Sequence, residues 1–258
     1  MIHYKSEKEI ESMKAGGNIL SEVMDYVLDS LEVGRSMEEL DKMAEKEILK
    51  RGGKPSFKMV PGYRWTICSC VNDIVVHGIP GSYKIREDDV VGIDMGVFYD
   101  GFHTDSSWSV RVGKSKSEKG ESIDKFLKTG ESALKKAIKQ VKNGNYIYDI
   151  SNAIQTEVEK EGYSVVRSLI GHGVGKKLHE DPEIPGVVTK PREKTLKIEN
   201  GLTIAVEVIY NMGSPDVDFE SKDGWTIRTK DGKISGLFET TVASSDHGVI
   251  LLSKNYGP

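Results

Sequence analysis

Cysteine is nearly absent from this chain. Cys68 and Cys70, two residues apart, are the only ones, too few for a disulfide framework or a zinc knuckle. No apolar run approaches the ~20 residues that a membrane-spanning helix needs. The opening MIHYKSEKEIES carries no apolar h-region, so a cytoplasmic location is expected rather than export. Positive charge is not in excess either, and a net charge of −4 leaves no case for nucleic-acid binding. What remains is 258 residues, 37% hydrophobic and 29% charged, the profile of a soluble globular protein with a sizeable core.

Ser6-x-x-Glu9 and Ser36-x-x-Glu39 are capping boxes, and each opens an amphipathic helix. The first helix turns Ile10, Met13, Ile19, Leu20, Val23, Met24, Val27, Leu28 and Leu31 inward and stops at Gly34; the second turns Leu40, Met43, Ala44, Ile48 and Leu49 inward and ends at Gly52-Gly53. A loop over 55–66 holds Phe57, Tyr63 and Trp65, and a strand is expected from Ile67 to Val76, ending at His77-Gly78-Ile79-Pro80. Gly113 to Ser122 reads as a polar linker. Helices are then expected from about Ile123 to Val141 and Tyr148 to Glu161, with strands over 164–170, 202–210, 225–229, 234–243 and 248–253. Two helices followed by antiparallel strands, stated twice, predict an α+β fold built from a duplicated unit. We expect one domain over 1–258, with halves of about 1–118 and 119–258.

Chemistry concentrates in Val90 to Val110. Asp94 interrupts a β-branched run, and Asp100-Gly101 is a two-residue hairpin signal. That turn sets Asp94 opposite Ser107 and makes Asp105 its diagonal neighbour on the same face, about 7–8 Å away at Cα. A one-residue slip would separate the two carboxylates onto opposite faces. No Lys or Arg lies between them, so a bound cation is the economical neutraliser. The plainer alternative is one surface Asp and one turn Asp.

The second half adds His172 within Gly171-His172-Gly173-Val174-Gly175, His179 seven residues on, and glutamates at 207 and 239 inside apolar strands. Singly, each has an ordinary reading: a structural histidine, or a glutamate on an edge strand. Acidic residues inside apolar strands are uncommon unless paired or metal-bound. Four carboxylates and one imidazole suit Mn, Fe, Co or Zn, and the charge count balances two divalent ions. Hydrolysis is the leading reaction class.

His77-Gly-Ile-Pro, Ile-Asp94, Asp-Gly-Phe-His-x-Asp105, Gly-His172-Gly-Val-Gly, His179-Glu, strand Glu207 and strand Glu239 together resemble the type I methionine aminopeptidases. The resemblance spans essentially the whole chain, including Asn72 and Asp223-Gly224-Trp225-Thr226. It implies a pita-bread fold with two pseudo-symmetric halves around a central cleft. It also implies Asp94, Asp105, His172, Glu207 and Glu239 as metal ligands, with Asp105 and Glu239 bridging two ions. By the same resemblance Glu207 shuttles the proton, His77 and His179 act beside the scissile amide, and Tyr63, Cys68, His77, His179 and Trp225 contact the substrate. Substrates would be peptide and nascent-chain N-termini with a small second residue, met transiently near the ribosome by a cytoplasmic monomer. His103 is read as support for the site; His3 and His247 are given no role.

Four positions depart from the commonest pattern of that family: Val208 for proline, Thr240 for histidine, Leu178 for an aromatic and Val60 for tyrosine. They imply an altered pocket and relaxed methionine selectivity. The alternatives are a proline-directed peptidase of the same fold, which usually has an extra N-terminal domain, and a non-enzymatic binding module, which typically loses metal ligands.

Overall fold

Both capping boxes form. Ser6 and Glu9 close the start of α1 (Glu7–Asp29), and Ser36 and Glu39 that of α2 (Met37–Lys50). Here as throughout, the protein is seen in a computed structural model that describes residues 2–113, 115–219 and 222–254. The helix α1 ends before Gly34, which instead turns the chain at φ +93° and donates to the carbonyl of Ile85 at 2.8 Å. After α2 come β1 (Lys54–Pro55), β2 (Ile67–Val71), β3 (Ile74–Val76), β4 (Val90–Tyr99) and β5 (Phe102–Arg111).

The single strand expected over 67–76 is broken at Asn72, which takes a left-handed φ of +55°. Asparagine tolerates that conformation, and here its side chain is also held by Asp89 and the Val90 N–H. The break sends β2 and β3 into different sheets.

The second half opens on α3 (Glu118–Ile138) and α4 (Ile147–Lys160). The linker expected over 113–122 is therefore half helix. Ser117 is the N-cap, accepting from the Gly120 N–H at 3.0 Å, and Glu118 and Glu121 favour the helix N-terminus. Its lysine- and serine-rich composition concealed the cap. Next come β6 (Ser164–Val165) and β7 (Ile170–Gly173), in place of one strand over 164–170, and then β8 (Glu180–Pro185). The chain finishes with β9 (Thr203–Asn211), β10 (Val217–Phe219), β11 (Ile227–Thr229), β12 (Ser235–Ser245) and β13 (Gly248–Leu251). Of these, β8 and β10 were not expected from sequence; β8 is an edge strand, and its acids and prolines are what edges carry.

The main sheet runs β1-β4-β5-β12-β9-β7-β8, with β2 against β4, β6 against β9 and β13 against β12; β10-β11-β3 is a smaller sheet. The two halves join strand to strand where β5 meets β12. Alternation divides each central strand between two environments. One face packs on the helices through Ile93, Met95, Val206, Val208, Tyr210 and Phe238. There α3 comes so close that a Cβ on Gly130 would lie 2.5 Å from the Phe238 ring. The other face holds Cys68, Ile209 and Leu237 with Phe57 and Tyr63, and it carries the polar cluster described next.

Candidate metal centre

The hairpin register is the one its turn demands: Asp94 pairs with Ser107. Ser107 in turn lies opposite Glu239, and Glu239 opposite Glu207. Two residues along, Asp105 is bound through its backbone N–H to the Thr241 hydroxyl at 2.8 Å, Thr241 lies opposite Ala205, and Ala205 opposite His172. Thus the four carboxylates and the imidazole occupy two neighbouring rows of one sheet face, drawn from five strands and both halves.

At the centre, ligand-type atoms of Asp105, His172 and Glu239 all lie within 4.8 Å of one another. His172 Nε2 is 3.4 Å from Glu207, 3.9 Å from Asp105 and 4.0 Å from Glu239. Its Nδ1–H donates to the Gly173 carbonyl at 2.9 Å, which leaves the Nε2 lone pair facing the carboxylates. Flanking glycines are required: a Cβ on Gly173 would sit 2.1 Å from the Asp181 carbonyl oxygen. Asp94, the fourth carboxylate of the set, lies farther along its row, opposite Cys68 of β2.

Burial pushes Asp94, Asp105 and Glu239 well above the ordinary carboxylate range, and repulsion within the cluster adds to it. Among the described residues, Asp94 Oδ1, Ser107 Oγ and Glu239 Oε1 are buried without a hydrogen-bond partner. Buried carboxylate oxygens left so are costly unless a cation meets them. The donor set and its orphaned oxygens therefore fit a divalent metal.

A cavity of about 130 Å³ opens beside these groups, lined among others by Tyr63, Cys68, His77, His179 and Trp225. All ten residues singled out from sequence reach this one cavity. Tyr63 stands between Trp65 and Trp225 with ring centres 5.3 and 5.2 Å away, and its hydroxyl donates to the Ile67 carbonyl at 2.9 Å. Trp225 is carried on a turn that Asp223 ties by accepting from its N–H at 2.8 Å.

His77 follows β3 in a left-handed conformation, φ +56°, which a histidine rarely adopts and which suits a functional position. Its neighbour Gly78 approaches Ser69 so closely that a Cβ would lie 2.1 Å from the Ser69 carbonyl oxygen. Burial lowers the pKa of His77; it also lowers that of His179, to about 4, with His172 adding to the effect. Both rings are neutral near pH 7. The rings of His179 and His172 pack edge to face, 4.3 Å between centres. These two histidines and Glu207 also line an outer groove with Lys177, Glu180 and His3.

The sequence profile of Metallopeptidase family M24 matches residues 11–250. The chain belongs to this family. It is 40% identical over 253 residues to a methionine aminopeptidase of Clostridium perfringens, covering 98% of this chain and 99% of the relative. It is 39% identical to methionine aminopeptidase 1 of Bacillus subtilis, covering 98% and 100%. The solved methionine aminopeptidase of Thermotoga maritima superimposes with a TM-score of 0.92 at 34% identity, covering 98% and 100%. A prolidase from Pyrococcus furiosus shares the fold, with a TM-score of 0.77 at 20% identity, and this chain covers 66% of it. The M24 fold is the pita-bread arrangement expected from the motifs.

Within this M24 site the four departures separate into two kinds. Val208 packs in the helix-side core, and Thr240 is bound to Ser253, its hydroxyl 2.8 Å from the Ser253 Oγ. Both point away from the centre, as strand neighbours of Glu207 and Glu239 must. Val60 and Leu178, by contrast, line the cavity. His103 is buried against Ser56, 2.9 Å from Nδ1 to Oγ, and Phe98. Sequence reading missed Phe57, Val76 and Leu237 in the cavity wall. Leu237 was findable, being two residues before Glu239 on one strand. His3, given no role from sequence, stands in the wall of the outer groove.

Proposed function

We propose that this M24 protein is a methionine aminopeptidase that releases the first residue of peptides and proteins when the second is small. The observation that carries the reading is the juxtaposition of one acidic, imidazole-bearing sheet face with an apolar cavity ending at the Tyr63–Trp225 wall. We read the space before that wall as the seat of one side chain, that of the residue to be released. The whole chain acts as one catalytic domain, since both halves supply ligands.

Asp94, Asp105, His172, Glu207 and Glu239 would hold the metal, and four carboxylates suit two ions of the Mn, Fe, Co or Zn type. When bound, such ions polarise a carbonyl and supply a nucleophile at neutral pH. Glu207 lines both the inner cavity and the outer groove, so it is placed to move a proton from the attacking water to the leaving amine. His77 and His179, neutral and at the same junction, donate to the scissile carbonyl and hold the peptide. Tyr63, Cys68 and Trp225 receive the methionine side chain. The five ligands and both flanking histidines all lie in this one chain's own sequence, and we read the protein as a monomer. Among the described residues no helix is long and apolar enough to cross a membrane, and we place the protein in the cytoplasm, meeting nascent chains transiently.

The test is residue release from peptides beginning Met-Gly, Met-Ala, Met-Lys, Leu-Ala and Ala-Pro, with Mn or Co and with a chelator. Chelator-sensitive cleavage confined to methionine before Gly or Ala is the expected result. Release from Ala-Pro would move the protein to the proline-directed branch, and no release with metal bound would sink the enzymatic reading.

A further inference from the structure

Lys5 is a buried lysine that no step above uses. Its side chain is only 2% exposed, and its ammonium lies 2.7 Å from Glu180 Oε2. Glu180 directly follows His179, and its other oxygen accepts from the Lys177 N–H at 3.0 Å. Lys5 is itself fixed. Its backbone N–H donates to the Gly201 carbonyl at 2.7 Å, and its stem lies so close to Gly175 that a Cβ there would come 2.5 Å from Lys5 Cε. The Gly175 carbonyl in turn accepts from the His103 N–H at 2.7 Å.

The segment 175–180, which carries His179, is therefore held at both ends: by β5 at Gly175 and by Lys5 at Glu180. A buried ion pair adds little net stability over an apolar pair of the same size, so stability is a weak reason for this one. Orientation is a stronger one, because a misplacement of about 1 Å at a reacting centre can cost on the order of 100-fold in rate.

We propose that Lys5 is a positioning residue for His179. By clamping Glu180 it sets the His179 ring against His172, 4.3 Å between centres, at the junction of cavity and groove. The N-terminal arm, whose His3 also walls the groove, thereby becomes part of the active site's construction. The inference rests on the role given to His179 above.

The experiment is a double-mutant cycle on the metal-loaded enzyme with a Met-Ala peptide, joined to a ring spectrum of the metal-free protein. Lys5→Met should lower kcat roughly 10- to 100-fold with little change in KM. In a His179→Gln background the same change should cost less than about twofold, because coupled residues are not additive. Glu180→Gln should repeat the pattern, and it serves if Lys5→Met does not fold. In metal-free protein, the His179 ring proton–carbon signal, assigned through His179→Gln, should move or broaden in Lys5→Met while that of His77 stays. An equal loss in both backgrounds, or an unchanged kcat and an unmoved His179 signal, overturns the proposal. If the wild type releases nothing, the functional reading fails instead, and the ring signal still decides whether Lys5 orients His179.

Discussion

Side-chain selectivity is expected to turn on Leu178 and Val60, which line the cavity, since Val208 packs in the helix-side core and Thr240 is bonded to Ser253. Replacing Leu178 with Phe or Val60 with Tyr adds bulk to the cavity wall, which a branched leucine side chain tolerates less than methionine. We expect the kcat/KM ratio of Met-Ala-Ser over Leu-Ala-Ser peptides to rise, by no more than the roughly 10- to 200-fold that about 1–3 kcal/mol allows. An unchanged ratio in both variants would remove these residues from the selectivity argument. His103 makes a second prediction. Burial lowers its pKa from the ordinary 6.5 to about 4. Between those values the unfolded chain takes up a proton that the folded one refuses. The stability His103 contributes is thus full above about pH 6.5 and lost as pH falls toward 4, by at most about 1.4 kcal/mol per pH unit. His103→Gln should flatten the melting temperature against pH in that window and leave it parallel to wild type above pH 7.

At the scale of elements, the site depends on close backbone approach between β7 and β8. Gly173→Ala would drive a Cβ against the Asp181 carbonyl, so it should destabilise the protein by about 1–3 kcal/mol and weaken metal binding together. Denaturant melts and metal titration of the same variant check this; a stable protein that binds metal as well as wild type would contradict it. Elements with local signals were legible in advance: the two capping boxes and the Asp100-Gly101 hairpin form as read. Those governed by distant partners were not. The break at Asn72 depends on Asp89 and Val90, and β8 exists because an edge of the sheet was open to it.

For the whole molecule, the carboxylates come from strands of both halves, so metal bound between them ties β4–β5 to β9–β12 beyond their backbone ladder. A ligand that binds only the folded state stabilises it by about 2.7 kcal/mol at 100 times its Kd. Adding Mn or Co to metal-free protein should therefore raise the melting temperature, and Asp94→Ala should lose most of that gain. A variant that keeps the full gain would place the metal elsewhere.

By itself the chain's order of residues determined the residue types of the centre, their alternation within strands and the turn that brings Asp94 and Asp105 to one face. Alternation and turn chemistry act over a few neighbours, so they can be read from a single strand or hairpin. Only the tertiary structure decided that β5 pairs with β12, which sets Asp105 beside Glu239 and His172 of the other half. It alone brought Lys5 against Glu180 from 175 residues away. Such contacts are set by strand register and packing between distant segments, which no local pattern encodes.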